Sequence, residues 1–180
     1  MANQNAPFGF RPTMRTVQGG RCQIIPAHKL VGDGTALFTH DAVNQAASGV
    51  KPTRCIKAAA GPATSVVLGV NLVPGDATKL TDHNIVLAHG AMFVVQGDGS
   101  GATFLVAASL NLNANIVFTA GDAVSKRSKH SLGETSLAST NTLDLKVRGL
   151  YESPDNVAGQ YAKVFCSFNN CVDADQKAGI

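Results

Sequence analysis

Glutamate is almost missing from this sequence: Glu134 and Glu152 are its only two, and charged residues make up 15 % of the chain. Exposed helix faces are built largely from Glu, Lys and Arg, so a helical bundle is excluded and strands joined by turns are expected. The 18 glycines, with many Val, Thr and Asn, point the same way. Tryptophan is absent and tyrosine occurs twice, which disfavours a glycan-binding module. No apolar run approaches the roughly 20 residues that a membrane-spanning helix needs, so no membrane partner is expected. Cys22, Cys55, Cys166 and Cys171 lack Cys-x-x-Cys spacing, and Met-Ala-Asn-Gln-Asn has neither the basic nor the apolar region of a secretion signal. Synthesis in a cytoplasm and reduced, buried thiols are expected; oxidising conditions would leave Cys22–Cys55 or Cys166–Cys171 as the available bridges.

What is present is clearest near the end. Leu143, Leu145 and Val147 alternate with Asp144, Lys146 and Arg148, the period of two that a strand with one dry face requires. Ser153-Pro154-Asp155-Asn156 is a turn: proline fixes φ, Asp and Asn bond to nearby backbone, and Gly159 lets the chain leave with positive φ. A second strand follows, with Ala162, Val164, Cys166 and Phe168 on one face and Tyr161, Lys163, Phe165 and Ser167 on the other. The pair reads as the closing hairpin of a β domain, with Val164 in the core.

Further forward, short strands are expected over 21–27, 36–43, 54–58 and 65–73, with turns at Gly32-Asp33-Gly34, Gly61-Pro62 and Pro74-Gly75-Asp76. Ile85–Ala88 and Ala91–Gln96 are nearly continuous in apolar residues and should be buried on both faces; a symmetric homotrimer is the expected way of covering them. Residues 103–118 allow one short helix, and the polar stretch 121–140 reads as a long surface excursion. Residues 1–20 carry two prolines and no period, and they read as an extended arm outside the core. Its apolar anchors Phe8, Phe10 and Met14, its prolines Pro7 and Pro12, and its charges Arg11 and Arg15 are the candidate partner-contact residues. The net charge of +3 is too small to imply nucleic acid, but its distribution is uneven. Up to residue 60, seven basic residues stand against Asp33 and Asp41, and the remainder is net acidic. The front of the chain therefore suits an acidic partner surface.

No constellation carries chemistry. Gly97-Asp98-Gly99-Ser100-Gly101 lacks the Gly-Lys-Ser/Thr of a phosphate loop and the carboxylates of a calcium loop, and it reads as a turn. The histidines, His28, His40, His83, His89 and His130, form no His-x-x-x-His pair; Asp82-His83 with His89 reads as turn residues rather than a metal site. There is no Gly-x-Ser-x-Gly elbow, and two glutamates leave little scope for a carboxylate pair. Lys126-Arg127-Ser128-Lys129-His130 lacks interleaved aromatics and reads as a solvated loop or an acidic-protein contact. No catalytic, cofactor-binding or metal-binding residue is expected, so the chain is read as a non-enzyme.

The opening Asn5-Ala6-Pro7-Phe8-Gly9-Phe10-Arg11-Pro12 resembles the start of small head structural proteins of tailed bacteriophages. The resemblance continues in Phe93–Asp98, Leu112-Asn113-Ala114, Ser136-Leu137, Thr142–Leu150, Pro154-Asp155-Asn156, Ala162-Lys163-Val164 and Asn169. It covers the arm and most of the second half; residues 44–64 contribute little. What the resemblance implies is a capsid decoration, or cement, protein that binds the outer surface of the shell, often as a trimer, and reinforces it. Its implied partners are the major capsid protein and itself, and its implied location is the virion. A head-fibre base or a head–tail component is the alternative within the same class; a hydrolase or glycan-binding module is the alternative outside it.

The expected architecture is mainly β: a β-barrel or β-sandwich core with at most one or two short helices. It is divided into an arm over 1–20, one domain over 21–172 and a tail over 173–180. Deleting residues 1–15 is expected to leave that domain folded.

Overall fold

The computed structural model describes residues 3–29, 36–45, 54–58, 66–75, 82–100 and 105–172. The Gly32–Gly34 and Gly61-Pro62 turns and the 173–180 tail lie outside them. The fold is mainly β, as expected. Its strands are β1 (Arg11–Thr16), β2 (Ile24–Lys29), β3 (Ala42–Gln45), β4 (Arg54–Lys57), β5 (Val67–Asn71), β6 (Asp82–Leu87), β7 (Ala91–Gln96), β8 (Asn113–Ala114), β9 (Ile116–Val117), β10 (Ser131–Leu132), β11 (Leu145–Leu150) and β12 (Lys163–Phe168). Helix among the described residues is limited to two single 3-10 turns, Ala107–Ser109 and Glu134–Ser136.

A five-stranded sheet has the order β1-β7-β12-β11-β8, with every neighbour antiparallel. A second group runs β4-β3-β5-β6-β2 with antiparallel pairs. A short parallel contact, His28 with Arg54 and Lys29 with Cys55, brings β2 back to β4. The closing hairpin forms as β11 and β12, and the turn closes through Asn156 N–H donating to Ser153 O at 2.9 Å. β12 is central, lying between β7 and β11, and Val164, Cys166 and Phe168 on it are buried.

The main core lies between the two groups. It joins Phe93, Val95, Leu145, Val147, Val164 and Cys166 from the large sheet to Ala42, Val67, Val70 and Val86 from the other. A smaller core, Ala27, Leu37, Val43, Cys55, Leu68 and Ile85, takes one residue from each of the five strands of the second group, with Leu37 from the segment before β3. Ile85 and Val86 are adjacent on β6 and point into different cores, which is what alternation along a strand dictates. Gly69 on β5 permits the close approach of β6; a Cβ there would stand 2.3 Å from the Val86 carbonyl. Burial of Ile85, Val86 and Ala88 on both sides of β6 is thus met within one chain; Leu87 on β6 and Met92 on β7 are partly exposed. These strands therefore no longer argue for a trimer.

Two expectations are corrected. The arm is extended, but it belongs to its own domain. Its residues 11–16 are β1, paired with β7, and Phe10 is fully buried, with its ring 5.0 Å from Phe168. A buried aromatic is worth more in the chain's own core than in water awaiting a partner. Hence the domain begins well before residue 21, and removing residues 1–15 removes an edge strand and a core aromatic. The 121–140 stretch is also more than a surface excursion. Ser128, His130, Ser131, Leu132 and Glu134 are buried, and the His130 ring packs edge-on against Phe118 at 5.1 Å.

Candidate partner-binding face

Polar contacts fasten residues 3–20 at several points along their length. The Asn3 amide donates to Val157 O and Gln160 O, both at 2.8 Å. The buried Gln96 amide accepts from Ala6 N–H and donates to Gln4 O. Gly9 turns at φ +74°, where a Cβ would stand 2.5 Å from both the His40 carbonyl and Ser128 Cβ. That glycine lets Phe10 N–H reach His40 O at 3.0 Å and drops the Phe10 ring into the core. Burial holds the His40 imidazole below its ordinary value, which favours the neutral ring beside Phe8 O; nearby Arg11 and Arg127 act in the same direction.

The seven candidate contact residues are therefore sorted by the pairing of β1 with β7. Phe10 faces the core and is unavailable to any partner. Pro7, Phe8 and Pro12 are half-buried, and Arg11, Met14 and Arg15 are exposed. Arg11, Val94 and Phe165 stand in one row across β1, β7 and β12. The row forms part of a groove of about 430 Å³ whose lining also includes Arg15, Tyr151 and Met92. Tyr151 packs edge-on against Phe165, with ring centroids 5.4 Å apart. The Arg11 guanidinium lies 5.5 Å from the centroids of both Phe8 and Tyr151, and it donates to the Tyr151 hydroxyl at 3.2 Å. Such stacking fixes a cation without neutralising it. The groove's lining includes no carboxylate. Among the described residues neither arginine has a carboxylate partner; the side-chain ion pairs are His28–Asp82, His130–Asp41 and Lys163–Asp155.

No family model, curated protein or solved structure matches this chain. The face must be read from its own chemistry: two exposed cations on an edge strand, Arg11 held against Phe8 and Tyr151 and Arg15 lining the same groove.

The remaining candidates fall out as follows. Asp82 and His83 point to opposite sides of β6. Asp82 meets His28 at 2.6 Å, whereas buried His83 bonds to Asn71 Oδ1 and Val73 O at 3.0 Å each. Among the described residues no group of three His, Cys, Asp or Glu could hold a metal. In the basic cluster Lys126, Arg127 and Lys129 are exposed, while Ser128 and His130 turn inward. All four cysteines are free thiols. A second concavity, of about 180 Å³, is lined only by apolar residues, among them Leu105, Val106, Leu110 and Leu150.

Sequence reasoning missed one carboxylate pair. Glu134 is fully buried, and its backbone N–H donates to Asp98 Oδ1 at 3.1 Å. No local pattern announces it, because the space for its side chain is made by Gly97, a residue distant in sequence.

Proposed function

We propose that this chain is a structural virion protein that binds the outer surface of a tailed-phage capsid and reinforces it, with the β1 face as its coat-binding surface. The observation that carries the reading is the pair Arg11 and Arg15, both exposed and, among the described residues, without a carboxylate partner, with Arg11 stacked on Tyr151 of the Tyr151–Phe165 floor. An acidic strip of the major capsid protein would supply the missing carboxylates, each making a charge-assisted bond, while an apolar or proline side chain covers the rings. Rigid fixation of the arm supports this use, since little further ordering is then required when the face docks. The arm thus serves as a preformed edge, not as a free tether. Copies repeated over a shell would add avidity to individually modest contacts. Within the same class the face would serve a head-fibre base or a head–tail component equally well.

The test is a double variant, Arg11→Glu with Arg15→Glu, measured by co-sedimentation with expanded capsids. Both side chains point away from the core, so circular dichroism should be unchanged. Affinity should fall by about tenfold or more, binding of the unaltered protein should weaken as salt is raised, and the variant-treated shell should lose its added heat resistance. Full occupancy by the double variant at equal affinity would overturn the reading.

A further inference from the structure

Glu134 is a buried acid with no visible reason to be one. Its residue is fully shielded from solvent, and neither carboxyl oxygen receives a hydrogen bond of good geometry. The carboxyl lies over Gly97, where a Cβ would stand 1.9 Å from Oε1, so only glycine leaves room for it. The same loop carries a second carboxylate, Asp98. Asp98 Oδ1 accepts from Glu134 N–H and Ser100 N–H, both at 3.1 Å, and Oδ2 accepts from the Ser100 hydroxyl at 2.6 Å. The loop is held in place by Gly97 N–H donating to Ala162 O and Asp98 N–H donating to Leu132 O, both at 2.9 Å. Gly99 turns at φ +66° under the Tyr161 ring. The titratable groups facing Glu134 are therefore Asp98, from the loop after β7, and Tyr161, from the turn before β12. Among the described residues no basic side chain is one of the groups that bias it.

We propose that Glu134 and Asp98 form a proton-operated latch, which fastens the Gly97–Ser100 loop to the Glu134–Ser136 turn while Glu134 is protonated and loosens it when Glu134 ionises. An ionised Glu134 would place a second negative charge beside Asp98 in a buried site, an arrangement that both desolvation and like-charge repulsion oppose. The loop can relieve this by lifting Gly97–Ser100 away from residues 132–136 and admitting water. Burial, and after it the Asp98 charge, push the Glu134 carboxyl up to about 7 from 4.5; the nearby N–H groups of Gly99 and Tyr161 pull weakly the other way. The acid therefore holds its proton more tightly in the folded chain than in the unfolded one. The contribution to stability is complete below pH 4.5 and is lost as pH rises through about 7. Leu105 packs against Gly97 and also lines the 180 Å³ apolar concavity, so the latch borders that concavity's wall.

The experiment is amide hydrogen exchange of the full chain across this pH range, corrected for intrinsic exchange and read at Asp98 and Glu134. Opening at these amides should rise by up to about tenfold per pH unit in the unaltered protein and stay flat in Glu134→Gln. Asp98→Asn removes the like charge beside Glu134 and should shift the midpoint of the opening to lower pH; a shift to higher pH would count against the latch. Should Glu134→Gln fail to fold, carboxyl-carbon NMR titration of the unaltered protein decides. A Glu134 midpoint near the ordinary glutamate value, or the same pH dependence in Glu134→Gln, would overturn the latch.

Discussion

The two strand groups are filled differently. The core shared by the large sheet contains Phe10, Phe93 and Phe168, with Phe168 about equally close to both others, at 5.0 and 5.1 Å between ring centroids. The core of the second group is built from Ala27, Leu37, Val43, Cys55, Leu68 and Ile85, with no aromatic side chain among the described residues. Aromatic rings bury the most area per residue and add edge-to-face terms, whereas small side chains stabilise mainly by letting backbones approach, as at Gly69. The difference teaches where rigidity is placed. The proposed binding face rides on the aromatic side, and its edge strand is anchored through Phe10.

The largest effect should come from Val164→Asp, which places an unpaired carboxylate in the middle of the central strand. That should cost several kcal/mol, on the order of the whole folding margin of about 5–15 kcal/mol, so no cooperative melting transition should be seen. A near-normal melting temperature would mean that β12 is not central. Next, Phe10→Ala should destabilise by about 3–5 kcal/mol, against ~0.5–1.5 kcal/mol for Ile85→Val on the other side. Urea unfolding of both variants measures the two costs, and a Phe10→Ala cost under 1 kcal/mol would return the arm to the status of a free tail. The smallest effect is kinetic. Burial raises the Cys166 thiol well above its ordinary value, and Cys22, half-buried, is raised less favourably for protection because its backbone contact at Met92 opposes burial. Iodoacetamide should therefore label Cys22 first. If the aromatic-poor side opens more readily, Cys55 follows and Cys166 comes last. Labelling of Cys166 before Cys55 would reverse the comparison drawn between the two cores.

The closing hairpin was legible because everything that specifies it is local: the alternation from Leu145 to Val147, the Pro154 turn, and the apolar face through Val164. The extended conformation of the first residues was legible too, since Pro7 and Pro12 impose it. Its destination was not, because the partner of β1 is β7, remote in sequence, and a row such as Arg11–Val94–Phe165 exists only after three strands are in register. The same holds for Glu134. Its sequence neighbours are polar and gave no sign of burial, while Gly97, which makes its cavity, looked like an ordinary turn residue. Of the candidate face, sequence supplied the residues, and pairing decided which of them remain outside.

The strand order has a consequence for the ribosome. β12 contributes the middle of the large sheet, between β7 and β11, although it is the last strand among the described residues. β1 and β7 can pair early, but the second edge of β7 has no partner until residue 168 has left the exit tunnel. Translation at about 5–20 residues per second leaves that edge unpaired for several seconds. Folding should therefore be essentially post-translational and slow, as non-local pairing dictates, and during synthesis the nascent chain should be a client for holding chaperones.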